Sequence, residues 1–335
     1  MNPLKYSALA AYYYGTYPLR LWREACLMPR NFSPVMILFY HRVADNWPNP
    51  WTISTRQFER HLDWICGRFE TISLAEAQQR IRAGKNRRPA VCITFDDGYA
   101  DNCRSAIPIL IRRRIPVTYF VSLDYVLHGC PFPHDEKAGT PLGVNTLSDL
   151  RDMARAGVEI GAHTRTHPDL GQVFDEAELY DEIVAARDDL AAEIRHPVRY
   201  FAFPYGMPEN LSAAAFRMAA RAGYEGVCTA YGGYNFPTTR NNAASFGAGD
   251  PSPWTDPSFH LRRIHGDPEL VAVKNWLKID PRKEWKIRQL EASTWAVLDS
   301  QEERPMCAIG AEAHDDPDEY ILPLAAARGR EEHSL

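Results

Sequence analysis

Apolar positions along this chain come in short continuous runs separated by stretches of helical spacing. VMILFY (35–40), AVCITF (90–95), VTYFV (117–121), VEIGA (158–162) and YFAF (200–203) are continuous enough for strands buried on both faces. Weaker runs at 69–73, 226–229 and 261–264 read as further strands. Between them Phe58, Leu62 and Ile65 recur at helical spacing in a predicted helix over 55–66. The same reading gives helices over 74–83, 102–114, 147–156, 176–193, 210–221 and 269–277. Gly84 and Gly157 end two of them, since glycine takes the left-handed cap conformation without steric cost. Strands alternating with helices imply parallel pairing through right-handed crossovers. Seven or eight such units in about 250 residues predict a closed β/α barrel, ahead of a doubly wound open sheet.

Two segments break the rhythm. Residues 127–145 and 231–259 are rich in Gly, Pro and Asn and read as long loops, the first a lid or a wall for substrate. Before the first strand, Tyr12, Tyr13, Tyr14, Tyr17 and Trp22 mix with Lys5, Arg20 and Arg23. That mixture predicts a helix packed against the main domain, or alternatively peripheral contact with a membrane surface. Ser7, Gly15 and Pro18 interrupt any secretory apolar core, so the expected location is the cytoplasm or the cytoplasmic membrane face, with the periplasm as alternative. The expected organisation is an N-terminal helical extension (1–34), a catalytic domain (35–280) and a C-terminal extension (281–335) whose last part, 310–335, is poorly ordered.

Composition narrows the class. With 335 residues, 45% of them hydrophobic, the chain has ample material for a globular core. Forty-three acidic against 38 basic residues, a formal charge of −5, argue against a protein built to grip nucleic acid. The seven cysteines are odd in number and form no C-x-x-C pair, which disfavours a zinc ribbon or a disulfide framework and suits a reducing compartment.

The chemistry collects where strands end. VMILFY runs into His41, AVCITF into Asp96-Asp97-Gly98, VEIGA into His163-Thr164-Arg165-Thr166-His167, and YFAF into Pro204-Tyr205-Gly206. Active sites of parallel barrels occupy that rim. His163 and His167 can face one way if their segment turns helically, and a carboxylate from another strand end would complete a three-ligand set for a divalent metal, zinc first and Ni, Co, Mn or Fe as alternatives. Of Asp96 and Asp97, one would bind metal and the other take a proton from water. His41 could protonate a leaving amine across the mouth. The Pro-Tyr-Gly turn offers a backbone N–H for an oxyanion. Two adjacent aspartates cannot alone be a glycosidase pair, which needs carboxyls on opposite sides of a bond.

TFDDGYADN (94–102), HTRTH (163–167) and FAFPYG (201–206) resemble the three main motifs of the polysaccharide deacetylase family, the NodB-homology domain of carbohydrate esterase family 4. ILFYHRV (37–43) resembles the opening of its circularly permuted branch, which includes poly-N-acetylglucosamine de-N-acetylases. The resemblance covers roughly residues 35–280. It implies a distorted (β/α)7 barrel and a metal-dependent hydrolase that removes an N-acetyl group from an amino sugar in a glycan by attack of metal-activated water. Asp97, His163 and His167 match the metal ligands, Asp96 the general base, Tyr205 the oxyanion contributor and His41 the acid, with His265 competing for that last role. Many members carry an arginine where this chain has Ala202; Arg263 is the candidate to orient Asp96 instead. Phe132, Tyr231, Tyr234, Phe236 and Trp254 are candidates to stack on sugar rings. An esterase or small-molecule deacylase using the same site, or a carbohydrate-binding pseudoenzyme, is the alternative.

Overall fold

The computed structural model describes residues 3–238 and 252–302. Ten strands occur among them: β1 (Val35–Tyr40), β2 (Arg42–Val43), β3 (Thr52–Ile53), β4 (Glu70–Thr71), β5 (Ala90–Phe95), β6 (Val117–Val121), β7 (Glu159–Ala162), β8 (Tyr200–Ala202), β9 (Gly226–Thr229) and β10 (His260–His265). β1, β10, β9, β8, β7, β6 and β5 pair in that order, all parallel, and the register Val35↔Ala90 to Tyr40↔Phe95 between β1 and β5 closes the ring. The fold is a seven-stranded (β/α)7 barrel of the NodB type.

Because side chains alternate across a strand, each barrel strand has one inward set and one outward set. Val35, Ile37, Ala90, Cys92, Phe120, Tyr200, Ala202, Cys228 and Leu261 form one buried cluster that fills the interior. Met36, Leu38, Tyr40, Val91, Ile93, Phe95, Phe201 and Ile264 join the helices in the larger outer core. The alternation carries past the strand ends. His41 continues the inward series Val35-Ile37-Phe39, Asp96 continues Ala90-Cys92-Thr94, and Arg263 and His265 continue Leu261. Periodicity 2 therefore sends the polar residues of these ends towards the barrel axis.

Several elements differ from expectation. The strand over 69–73 shrinks to two residues, and β2 and β3 form a small parallel pair that no apolar run announced. The helix over 102–114 breaks at Ser105. The segment 127–145 is not all loop, since helices Leu123–His128 and Pro133–Lys137 occupy part of it. The helix over 176–193 contains a π-helical turn, Asp181–Ala185. The rhythm does not stop at Arg282: Pro281–Glu302 is a 22-residue helix. Beside buried Ile287 and Leu298, its ties are polar and distant in sequence, Arg23–Glu284, Arg262–Glu291 and Trp254–Asp299, which the local sequence does not record. The disorder expected over 310–335, and part of the loop over 231–259, lie outside the described residues.

Candidate active site

The turn after β5 separates the two aspartates. Asp96 stays in line with the inner face of its strand. Asp97 has φ of 71° and Gly98 of 85°, which swings the second carboxyl to one side of the mouth. A Cβ at Gly98 would sit 3.1 Å from Val121 Cγ1, a tight contact that adds to the glycine preference its φ already sets.

His163 leaves β7 pointing inward and is buried. Its Nδ1 donates to the carbonyl of Ala202 at 2.8 Å. A carbonyl can only accept, so Nδ1 carries the proton and the Nε2 lone pair faces the mouth. Burial also pushes the His163 pKa down to about 4, which keeps the ring neutral. His167 reaches the same place by a route other than the expected helical turn. The loop bends through left-handed residues at Thr164 (φ 64°) and His167 (φ 64°). Thr164 Oγ1 accepts from the His167 amide at 3.0 Å, and buried Glu182 accepts from the amides of Arg165 and Thr166 and from Thr166 Oγ1. Glu182 lies in the π-helical turn, a feature that often marks functional sites. Eight described non-glycine residues have positive φ, and Asp97, Thr164, His167 and Tyr205 account for half of them. Backbone in a sparsely populated region persists only where surrounding structure holds it.

The result is a convergent set. Asp97 Oδ1 lies 3.6 Å from His163 Nε2 and 3.5 Å from His167 Nε2. Ligand atoms about 2.0–2.2 Å from a tetrahedral zinc would be separated by roughly 3.4 Å, so the donor set fits a divalent cation in spacing and in type. Burial works against a charged Asp97, but the hydrogen bond from His167 and the nearby histidines hold its pKa well below the usual carboxylate range. The carboxylate is therefore ionised and ready to ligate.

Asp96 is gripped from within the barrel. Arg263 donates Nη1 to Oδ1 at 2.6 Å and Nη2 to Oδ2 at 2.8 Å, a two-pronged contact that fixes the carboxylate plane. The guanidinium is fully buried, lies between the rings of Phe39 and Phe120, and also donates to Thr94 Oγ1 and the Thr229 carbonyl. Burial opposes its charge, yet Asp96 raises its pKa. Ala202 fills the barrel interior with its side chain and lends its carbonyl to His163.

His41 sits across the mouth. Its Nδ1 meets Asp267 Oδ2 at 2.6 Å, leaving Nε2 as the ring atom that can face a substrate. Burial disfavours its charge, but Asp267 first, then Asp97 and Asp96, raise its pKa to about 9. Asn102 fixes the backbone here, donating to the His41 carbonyl and accepting from the Val43 amide. His265 shares the same carboxylate, Nε2 to Asp267 Oδ2 at 3.0 Å, and stacks on Phe39 at 5.0 Å. Tyr205 lies in the turn before Gly206 with φ of 59°, its ring edge-on to His167 at 5.2 Å.

Sequence reasoning passed over Asp267, Glu182, Asn102 and Trp51. Asp267 could have been found as the first carboxylate past the end of β10, and Asn102 closes a motif already singled out. Trp51, 40% exposed, packs its ring 5.0 Å from His41 and 5.9 Å from His265, so it forms the outer edge of the acid side. Of the aromatics expected to meet sugar, Phe132, Tyr231, Tyr234 and Trp254 are buried, and Phe236 stacks on Phe32. They are packing residues: Phe132 backs His167, Tyr99 and His134, and the Trp254 indole donates to Asp299.

Comparison with known proteins agrees with this architecture. Residues 83–227 match the family model described as polysaccharide deacetylase. The chain is 30% identical over 120 residues to a chitooligosaccharide deacetylase of Bradyrhizobium, covering 35% of this chain and 47% of that protein. It is 24% identical over 166 residues to the poly-beta-1,6-N-acetyl-D-glucosamine N-deacetylase of Staphylococcus aureus, covering 47% and 54%. It thus spans about half the length of these curated relatives. Among solved structures, IcaB from Ammonifex degensii superposes with a TM-score of 0.56 at 22% identity, over 74% of this chain and 98% of that one. TFDDGYADN (94–102), HTRTH (163–167) and FAFPYG (201–206) all lie inside the stretch 83–227 that matches the polysaccharide deacetylase model.

Proposed function

We propose that this protein is a divalent-metal hydrolase that removes an N-acetyl group from an amino sugar within a glycan. The observation that carries the reading is the meeting of Asp97, His163 and His167 at ligand spacing beside a second carboxylate, Asp96, that Arg263 holds in a fixed plane. A cation bound there, zinc above all, would supply Lewis acidity to water and to the acetyl carbonyl.

The chain's own residues divide the remaining work. Asp96 accepts the proton of the attacking water, and Arg263 keeps its carboxylate oriented. His41, protonated through Asp267, donates from Nε2 to the departing nitrogen, because an amine leaves far more easily than an amide anion. The amide of Tyr205 donates to the oxygen that gains charge as water adds. Trp51, at the rim beside His41, offers a face on which a sugar ring can stack. The names of the two curated relatives, one acting on chitooligosaccharide and the other on a poly-N-acetylglucosamine, support an amino sugar as the acetyl bearer.

Acetate release from N-acetylated oligosaccharides by zinc-loaded protein tests this. Asp96→Asn is expected to keep its metal and lose about 10²–10⁴-fold in turnover. Near-full activity in that variant would remove Asp96 as the base. Release of acetate from esters but never from amides would replace the reading with an esterase.

A further inference from the structure

The two N-terminal helices, Pro3–Gly15 and Tyr17–Leu27, are inside out. Their charged side chains turn towards the protein. Arg20, fully buried, donates to the Asn275 side chain and carbonyl and pairs with Asp280. Arg23 pairs with Glu284, and Glu24 pairs with Lys278. What faces outward is apolar. Tyr14 is 67% exposed and Trp22 59%, with Leu4, Leu19, Leu21 and Met28 also exposed. Positions 4, 8, 11, 14, 18, 22 and 25 recur at helical spacing and all are exposed, so this is one stripe running through both helices. Among the exposed residues of 3–30 the only charges are Lys5 and Arg30, both positive.

A surface helix of a water-soluble domain has the opposite arrangement, with charge out and apolar side in. We propose that this stripe is a membrane-interface surface that lies on an anionic lipid bilayer, with Tyr14 and Trp22 at headgroup level and Lys5 and Arg30 against lipid phosphates. The occupant follows from the charge. A second copy of the chain would bring the same two cations with no anion to meet them. A bilayer meets both the aromatic composition and the sign of the charge. Neither helix spans: among the described residues none is long and apolar enough to cross a membrane.

Docking this way also orients the barrel. The stripe adjoins the C-terminal end of Leu270–Leu277, the helix that returns from the rim, and residues 28–34 lead from it into the start of β1. The mouth at the strand ends then opens away from the lipid, towards a glycan approaching from solution.

The test sediments full-length protein with vesicles of phosphatidylcholine alone or mixed with phosphatidylglycerol. Binding to the mixed vesicles is expected. The Leu21→Glu/Trp22→Glu double variant should lower it about tenfold or more, and Lys5→Glu or Arg30→Glu about fivefold each. Circular dichroism and acetate release from soluble oligosaccharides should not change in any of them, which separates this surface from the site. The proposal is overturned if neither vesicle binds the protein, or if the double variant binds as well as the parent. It is equally overturned if sedimentation equilibrium shows a dimer that the double variant dissolves, or if binding appears only once residues 303–335 are deleted.

Discussion

Two clusters of identical composition, each an aspartate with two histidines, stand at the strand ends of the barrel. In one, Asp97 stands 3.5 and 3.6 Å from the His167 and His163 Nε2 atoms. In the other, Asp267 closes to 2.6 Å on His41 and 3.0 Å on His265. The half-ångström to one-ångström gap separates two kinds of chemistry. His163 donates its Nδ1 proton in a hydrogen bond to the Ala202 carbonyl and burial lowers its pKa to about 4, so its Nε2 lone pair faces Asp97. The Asp267 carboxylate instead spends its charge on a proton, raising His41 to about 9. On the proposed function, one cluster would hold a cation and the other a proton. Residue type alone does not distinguish them; the carbonyl that fixes the His163 tautomer and the short Asp267–His41 contact do.

The sharpest way to break the comparison is to delete one member from each side. His163→Ala is expected to lose bound metal and activity together, read by metal analysis and acetate release on the same sample. His41→Gln should retain the full metal complement while turnover falls about 10²–10⁴-fold. If His41→Gln shed its metal, the two clusters would be one site.

The pH profile gives the next largest effect. His41 must be protonated to act as an acid, and its raised pKa keeps the proton until pH climbs through about 9. The rate should therefore hold at neutral pH and fall on the alkaline side near that value. Asp267→Asn removes the main cause of the upward shift and leaves burial, which works in the opposite sense. The alkaline limb should move down towards the ordinary histidine value of about 6.5, with a loss of about tenfold or more at pH 8 and little at pH 6. An unmoved limb would assign the titration to another group.

Most of the barrel was legible in the sequence because strands buried on both faces leave continuous apolar runs, and the residues ending those runs stand where parallel barrels do chemistry. Alternation within AVCITF, followed two residues on, even predicts that Asp96 points inward. What stayed hidden depended on left-handed turns and on partners far along the chain. Nothing near His163 announces that Thr164 and His167 adopt positive φ, whereas Arg263, named from the sequence as the candidate to orient Asp96, does grip it from β10, 167 residues later. The sugar-stacking aromatics failed for a related reason: Phe132 and Trp254 sit in Gly- and Pro-rich segments that look like loops, but these fold back and bury their rings. In the helix Pro281–Glu302 the informative contacts are ion pairs and hydrogen bonds to residues as distant as Arg23, which no local pattern records.

Glu182 supplies the smallest and most discriminating change. It touches neither the cation position nor a reacting atom, but one of its oxygens accepts two loop amides and the other the Thr166 hydroxyl. That grip makes it a positioning residue for His167. Glu182→Gln keeps one acceptor oxygen and turns the other into a donor, so the loop retains part of its anchorage. Metal affinity should weaken by about tenfold, the lower end of what outer partners of a ligand contribute, with the rate at saturating metal close to the parent and the pH limb still near the His41 value. The proton side of the mouth would be untouched, which is the point of the experiment. A Glu182→Gln protein that bound metal normally would mean that Thr164 Oγ1 and the local backbone suffice to hold the bend at His167. One that lost the alkaline limb as well would show the two clusters to be mechanically coupled through the loop.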